Sequence, residues 1–260
     1  MGGGIEVFSS GKTLQISTDY IPACLRKSGK LTSSTIWHYS AWPGIGGTTI
    51  PTSGYSSWSD PIDVSGYTSP MVFFKTAVLT SRVSIFISYD KKLYFLKWWN
   101  FSITGDIEYY IFDTWTPSER SSSGLQVYNP TTQQIVFDSG WYLMNIVQLH
   151  QIPVNTPALE WGSNYAYEIE LGTSTNIAVG LSSYREIWIE SGSGGSGGVN
   201  DTVGWFLRDC AWIEGTKAKI SYVISIVDNT SYDSRSSRWH NKDITYLYAI
   251  DTSRLPNPYG

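Results

Sequence analysis

Val83-Ser84-Ile85-Phe86-Ile87-Ser88-Tyr89 alternates Val, Ile, Ile and Tyr on one face with Ser, Phe and Ser on the other. A period of two marks a half-buried β-strand, because successive side chains leave a pleated backbone on opposite sides. The same pattern recurs further along the chain. Ala166-Tyr167-Glu168-Ile169-Glu170-Leu171, Glu186-Ile187-Trp188-Ile189-Glu190 and the run Lys219 to Val227 are further candidate strands. Each is bounded by Gly, Ser, Asn, Asp or Pro, the residues that turns require. No capped run of apolar residues at i, i+3, i+4, i+7 occurs, so helices are not expected. Many short strands with such punctuation predict an all-β protein of the sandwich type.

Composition supports that class. Aromatic residues make up 15% of the 260 residues, including 12 Trp and 18 Tyr. Such side chains fit a pleated, half-buried surface. Charged residues also make up 15%, well under the roughly 25% of an average globular protein. The net charge of -4 and the scattered basic residues argue against a nucleic-acid partner, which needs a concentrated Lys/Arg face. No stretch approaches the roughly 18 to 20 apolar residues of a spanning helix, so membrane insertion is not expected. Met1-Gly2-Gly3-Gly4-Ile5 lacks the charged and apolar regions of a signal peptide. Cys24 and Cys210 fall one in each half, and two buried free thiols are expected rather than a bridge.

The chain also matches itself. Gly4-Ile5-Glu6-Val7-Phe8-Ser9 returns as Gly124-Leu125-Gln126-Val127-Tyr128-Asn129, and the run Leu14 to Tyr20 as Ile135 to Trp141. Both copies read as strand, polar turn, strand, which is a β-hairpin. Further on, Tyr94-Phe95-Leu96-Lys97 echoes Trp205-Phe206-Leu207-Arg208, and Ile107 to Ile111 echoes Ile220 to Ile224. The matches keep their order and a nearly steady offset, the mark of a repeat. The stretch Pro117 to Ser123 reads as a linker. The expected architecture is therefore two tandem β-sandwich-like domains related by duplication: residues 1–118, then residues 122–260 with an extended tail. The residues after Asp228 have no counterpart in the first half on this reading, and are expected to add an edge strand or reach a neighbour. The glycine-rich run Ser191 to Gly198 reads as a long hairpin loop.

The opening Gly4-Ile5-Glu6-Val7-Phe8, the stretch Tyr109-Tyr110-Ile111-Phe112-Asp113, and Gly124 to Asn129 followed by Ile135 to Ser139 resemble a family of small proteins from tailed bacteriophages. Those proteins are encoded near tail-tip and tail-fibre genes, and many have no assigned function. The resemblance covers the N-terminal hairpin and roughly residues 105–147. It implies a non-enzymatic virion protein of the tail, made in the host cytoplasm. Implied partners are other phage tail proteins, further copies of itself in a symmetric homo-oligomer, and a host surface glycan or receptor during attachment. It supplies no catalytic residues. The Gly/Ser loop and the C-terminal extension depart from it.

Constellations that would carry chemistry are weak. His38, His150 and His240 lack a second ligand at metal-binding spacing. No G-x-S-x-G elbow and no phosphate-binding loop occurs. Glu168/Glu170 and Glu186/Glu190 read as solvent-facing strand positions rather than a glycosidase pair. An enzyme, a cofactor and a metal are thus not expected. The candidate binding surface is aromatic: Trp37, Trp42, Tyr55 and Trp58, which cluster in one Gly/Pro-rich, irregular segment, with Trp239 in the tail. Core packing or a subunit interface is the first expectation for them. A carbohydrate-binding platform for host glycans is the alternative, because exposed Trp and Tyr faces hold sugars.

Overall fold

The computed structural model describes residues 6–8, 14–17, 21–32, 37–38, 56–76, 82–98, 106–154, 166–172, 176–193, 201–229, 237–239 and 244–260. Among these residues every regular element is a strand. The first half holds β1 (Glu6–Phe8), β2 (Leu14–Ser17), β3 (Ala23–Leu31), β4 (Trp37–His38), β5 (Ser56–Ser59), β6 (Ile62–Asp63), β7 (Met71–Thr76), β8 (Val83–Ile87), β9 (Lys92–Trp98) and β10 (Ile107–Thr114). The second holds β11 (Gln126–Tyr128), β12 (Ile135–Asp138), β13 (Ile146–Ile152), β14 (Tyr167–Glu170), β15 (Ile177–Leu181), β16 (Glu186–Ser193), β17 (Asp201–Glu214), β18 (Lys217–Asn229), β19 (Ser237–Trp239) and β20 (Thr245–Asp251). The candidate strands read from alternation at residues 83–89, 166–171, 186–190 and 219–227 fall on β8, β14, β16 and β18. Of the glycine-rich run expected to be a hairpin loop, Ser191, Gly192 and Ser193 instead extend β16 and pair with Val203, Thr202 and Asp201, and the rest lies outside the described residues.

Two large open sheets face each other. One has six strands in the order β13-β20-β15-β7-β10-β3. The other follows β14-β18-β17-β8-β9-β5-β4, with β16, β19 and β6 attached at its sides. Neither sheet stops at residues 118–122. In the six-stranded sheet the halves join where Val179 pairs with Phe74, and in the ten-stranded sheet where Ala211 pairs with Val83. The core crosses the same line. Phe74, Val83, Ile85, Phe95 and Ile111 from the first half share one cluster with Ile152, Val179, Ala211, Ile220 and Leu247 from the second. Residues 1–118 and 122–260 therefore do not each own a sandwich; they share two sheets and one core.

The order of strands repeats about the junctions. Outward from the middle of the six-stranded sheet come β7, β10 and β3 on one side, and β15, β20 and β13 on the other. Outward from the middle of the ten-stranded sheet come β8, β9 and β5, against β17, β18 and β14. The hairpins repeat too. Val7 pairs with Ile16 as Val127 pairs with Phe137, and each hairpin carries its bulge at the next step. The later self-matches are out of step with this order, because β9 and β17, like β10 and β18, occupy different places in the sheets. By strand order β10 corresponds to β20, and Tyr110-Ile111-Phe112-Asp113-Thr114 aligns with Tyr248-Ala249-Ile250-Asp251-Thr252. Against the expectation of an edge strand after Asp228, β20 is an interior strand, lying between β13 and β15.

Interior strands read as near-continuous apolar runs because both faces are covered. All five residues of β15 are buried, and in β10 Ile107, Tyr109 and Ile111 face the shared core while Tyr110 and Phe112 face a second cluster. That second cluster lies on the outer face of the six-stranded sheet, and Leu255 and Tyr259 from the C-terminal segment pack on it. The segment runs across to β3: Ser28 Oγ donates to the Pro256 carbonyl at 2.6 Å, and Ser28 and Tyr259 exchange backbone bonds of 2.9 and 3.2 Å. Two glycines answer local demands. Gly215, at φ +63°, makes the two-residue turn between β17 and β18, where a left-handed conformation is needed. Gly180 lies against β7 at the junction, where a Cβ would stand 2.4 Å from the Val72 carbonyl oxygen.

Gly180→Ala should push β15 away from β7 and cost about 1–3 kcal/mol, as overpacking does. Urea unfolding should show a lower midpoint at an unchanged slope.

Candidate binding surfaces

Of the aromatic candidates, Trp37, Trp58 and Trp239 fall on described strands. Trp37 lies on β4 opposite Ser59, and Trp58 lies on β5 opposite His38, so the two occupy alternate positions of one short ladder. Trp239 lies on β19, which pairs with β16 on the other branch of the ten-stranded sheet. Trp42 and Tyr55 fall outside the described residues, as does His240.

Sequence reasoning missed the cleft at the junction of the halves. Its volume is about 390 Å³, within the size range of small-molecule sites. Met71, Val72 and Phe73 of β7 and Ile85 and Ile87 of β8 form the first-half wall; Leu181, Tyr184, Arg208 and Tyr248 form the second. The Arg208 guanidinium stacks 5.0 Å from the ring centre of Phe86 and 5.9 Å from that of Tyr184. The Tyr184 hydroxyl is shielded from water, and burial holds its pKa far above that of a free phenol. Such walls offer apolar contact and ring stacking.

Behind the cleft sits a buried ion pair. Arg185 Nε donates to Asp209 Oδ2 at 2.7 Å and Nη2 to Oδ1 at 3.1 Å, with the two residues 1% and 0% exposed. The Arg185 backbone N–H also donates to Asp209 Oδ2, and Asp209 N–H returns a bond to the Arg185 carbonyl. Ser84 Oγ of β8 donates to the Asp209 carbonyl at 2.6 Å, which ties the pair to the first half. Burial pushes the Asp209 carboxyl up, and the guanidinium pulls against it. The signal was present in the sequence: Arg208-Asp209 interrupts the apolar run from Trp205 to Ile213. A charge inside a buried strand needs a charged partner.

A second carboxylate, Asp138 at the end of β12, is also fully covered. Burial alone would raise its pKa. Bonds from Ser121 Oγ, the Gly140 N–H and Gln126 Nε2 outweigh that and hold it at about 2. Both cysteines are free and buried, as expected, and burial pushes each thiol up to about 12. Glu168 and Glu170 sit at a rim of the ten-stranded sheet, where Lys217 and Lys219 pair with Glu168 at 2.7 and 3.0 Å. His150 meets the Tyr167 hydroxyl at 3.1 Å. Among the described residues no group of three or more His, Cys, Asp or Glu could hold a metal ion, and no helix is long and apolar enough to cross a membrane.

No family model, no curated protein and no solved structure matches the chain.

Arg185→Met should strand the Asp209 carboxylate in the core and cost about 3–5 kcal/mol by denaturant unfolding. The double variant with Asp209→Leu should lose clearly less, because no unpaired charge is left behind. Asp138 has its pKa lowered from an ordinary 3.8 to about 2. Its contribution is complete above the unfolded value and disappears as the pH falls through the folded one. Melting temperatures taken between pH 5 and pH 2 should therefore fall more steeply for the native chain than for Asp138→Asn.

Proposed function

We propose that the chain is a non-enzymatic structural protein of a bacteriophage tail, placed at the tip or fibre and contributing to host attachment. The observation that carries this reading is the fusion of the two halves. Two continuous sheets, one shared core and a C-terminal segment fastened back onto β3 make a rigid body suited to holding position in an assembly. The residues behind the phage resemblance fall on the two matching hairpins and on β10.

We also infer that the halves descend by duplication from one β-sandwich-like module. The equal hairpin registers, the repeated strand order and the Tyr-x-x-Asp-Thr echo at residues 110–114 and 248–252 support that descent. The partners on this reading are other tail proteins and further copies of the chain. A glycan-binding module for the host surface is the second reading. It draws on the aromatic residues of the segment that holds Trp37 and Trp58.

Mass spectrometry of purified particles from the phage that encodes this chain should find it as a stoichiometric component. Its absence from infectious particles would remove the proposal.

A further inference from the structure

A free strand edge is a template for another strand, and proteins guard such edges. The six-stranded sheet ends in β3 and β13, and β14 ends one side of the ten-stranded sheet. The edge of β3 is occupied by its own chain: Leu25 N–H donates to the Tyr142 carbonyl at 2.8 Å, and Ser28 pairs with Tyr259. The rim at β14 carries alternating charges, with Glu168 between Lys217 and Lys219 and Glu170 at 3.4 Å from Lys217.

Among the described residues β13 has neither guard, its one irregularity being a bulge at Val147. Among the described residues it pairs with β20 alone. The run Ile146-Val147-Gln148-Leu149-His150-Gln151-Ile152 contains no Asp, Glu, Lys, Arg or Pro. Ile146, Val147 and Leu149 are 42%, 51% and 55% exposed, high values for apolar side chains on a sheet. The backbone groups that point outward follow from the neighbouring strand. Ser182 N–H donates to the Tyr246 carbonyl, and Tyr246 N–H donates to Ser182 Oγ, so Tyr246 turns its backbone towards β15. Gln151 lies opposite Tyr246 and Leu149 opposite Tyr248. In an antiparallel ladder such residues turn their own N–H and C=O away from that partner, here to the open edge.

We infer that β13 is a self-association edge: two copies of the chain pair β13 with β13, antiparallel about a two-fold axis near Leu149. A closed two-fold contact is the commonest form of homo-oligomer. Charge is compatible with a second copy in that place. The strand is neutral, so facing itself sets no like charges opposite each other. Its exposed Leu149 then faces Leu149 of the second copy, with Val147 beside it on the same face. The chain already joins its two halves by antiparallel strand pairing at β7 and β15. This deepens the assembly reading above, and the two fail separately: absence from virions removes the tail role, whereas the result below decides the interface.

The test is sedimentation equilibrium of the full chain from about 5 to about 200 μM, a range that brackets a micromolar dimer. The native chain should move from monomer to dimer. Leu149→Lys should stay monomeric throughout with an unchanged melting temperature, because the side chain is exposed. Tyr89→Lys, a change at a site 97% exposed and remote from β13, should dimerise like the native chain. A native chain that stays monomeric over the whole range overturns the inference. So does a dimer that survives Leu149→Lys.

Discussion

Strand pairing across the junction governs the rest of this molecule. Phe74 meets Val179 in one sheet and Val83 meets Ala211 in the other, and through those two contacts each sheet becomes continuous. Once they form, the apolar faces of both halves fall into one cluster, and neither half has to cover its inner face alone. The approach is close enough that position 180 has no room for a Cβ. The Arg185–Asp209 pair stiffens the same place from within. Its bidentate geometry fixes where β17 lies relative to the start of β16, and Ser84 carries that constraint into the first half.

Fusing the sheets creates a second problem, the outer face of the six-stranded sheet. Tyr110, Phe112, Phe73 and Ile250 line it, and they would be an exposed apolar patch without a cover. The C-terminal segment and the Tyr142–Met144 stretch supply that cover over the first half and also occupy the edge of β3. The second half receives no equivalent among the described residues.

Local features were legible in the sequence to different depths. The hairpins at residues 6–17 and 126–138 could be read because a strand, a polar turn and a second strand follow one another within a dozen residues. The alternation of Val83 to Tyr89 gave β8 for the same local reason. The later self-matches slipped by a strand. Apolar runs such as Ile107 to Ile111 and Ile220 to Ile224 look alike whenever both faces are buried, so similarity of pattern does not say which sheet a strand joins.

By itself the sequence determined the all-β class, the positions of many strands, the unbridged cysteines and the low charge. These follow from side-chain chemistry and from periods of a few residues. Tertiary structure alone decided that the two halves share their sheets, that β20 is an interior strand, that a cleft opens at the junction and that Arg185 finds Asp209. Those outcomes depend on pairings between residues up to 128 positions apart, as for Val83 and Ala211. Strand pairing is satisfied by any backbone of suitable length. The partner is therefore chosen by how whole faces bury together, which no local window contains.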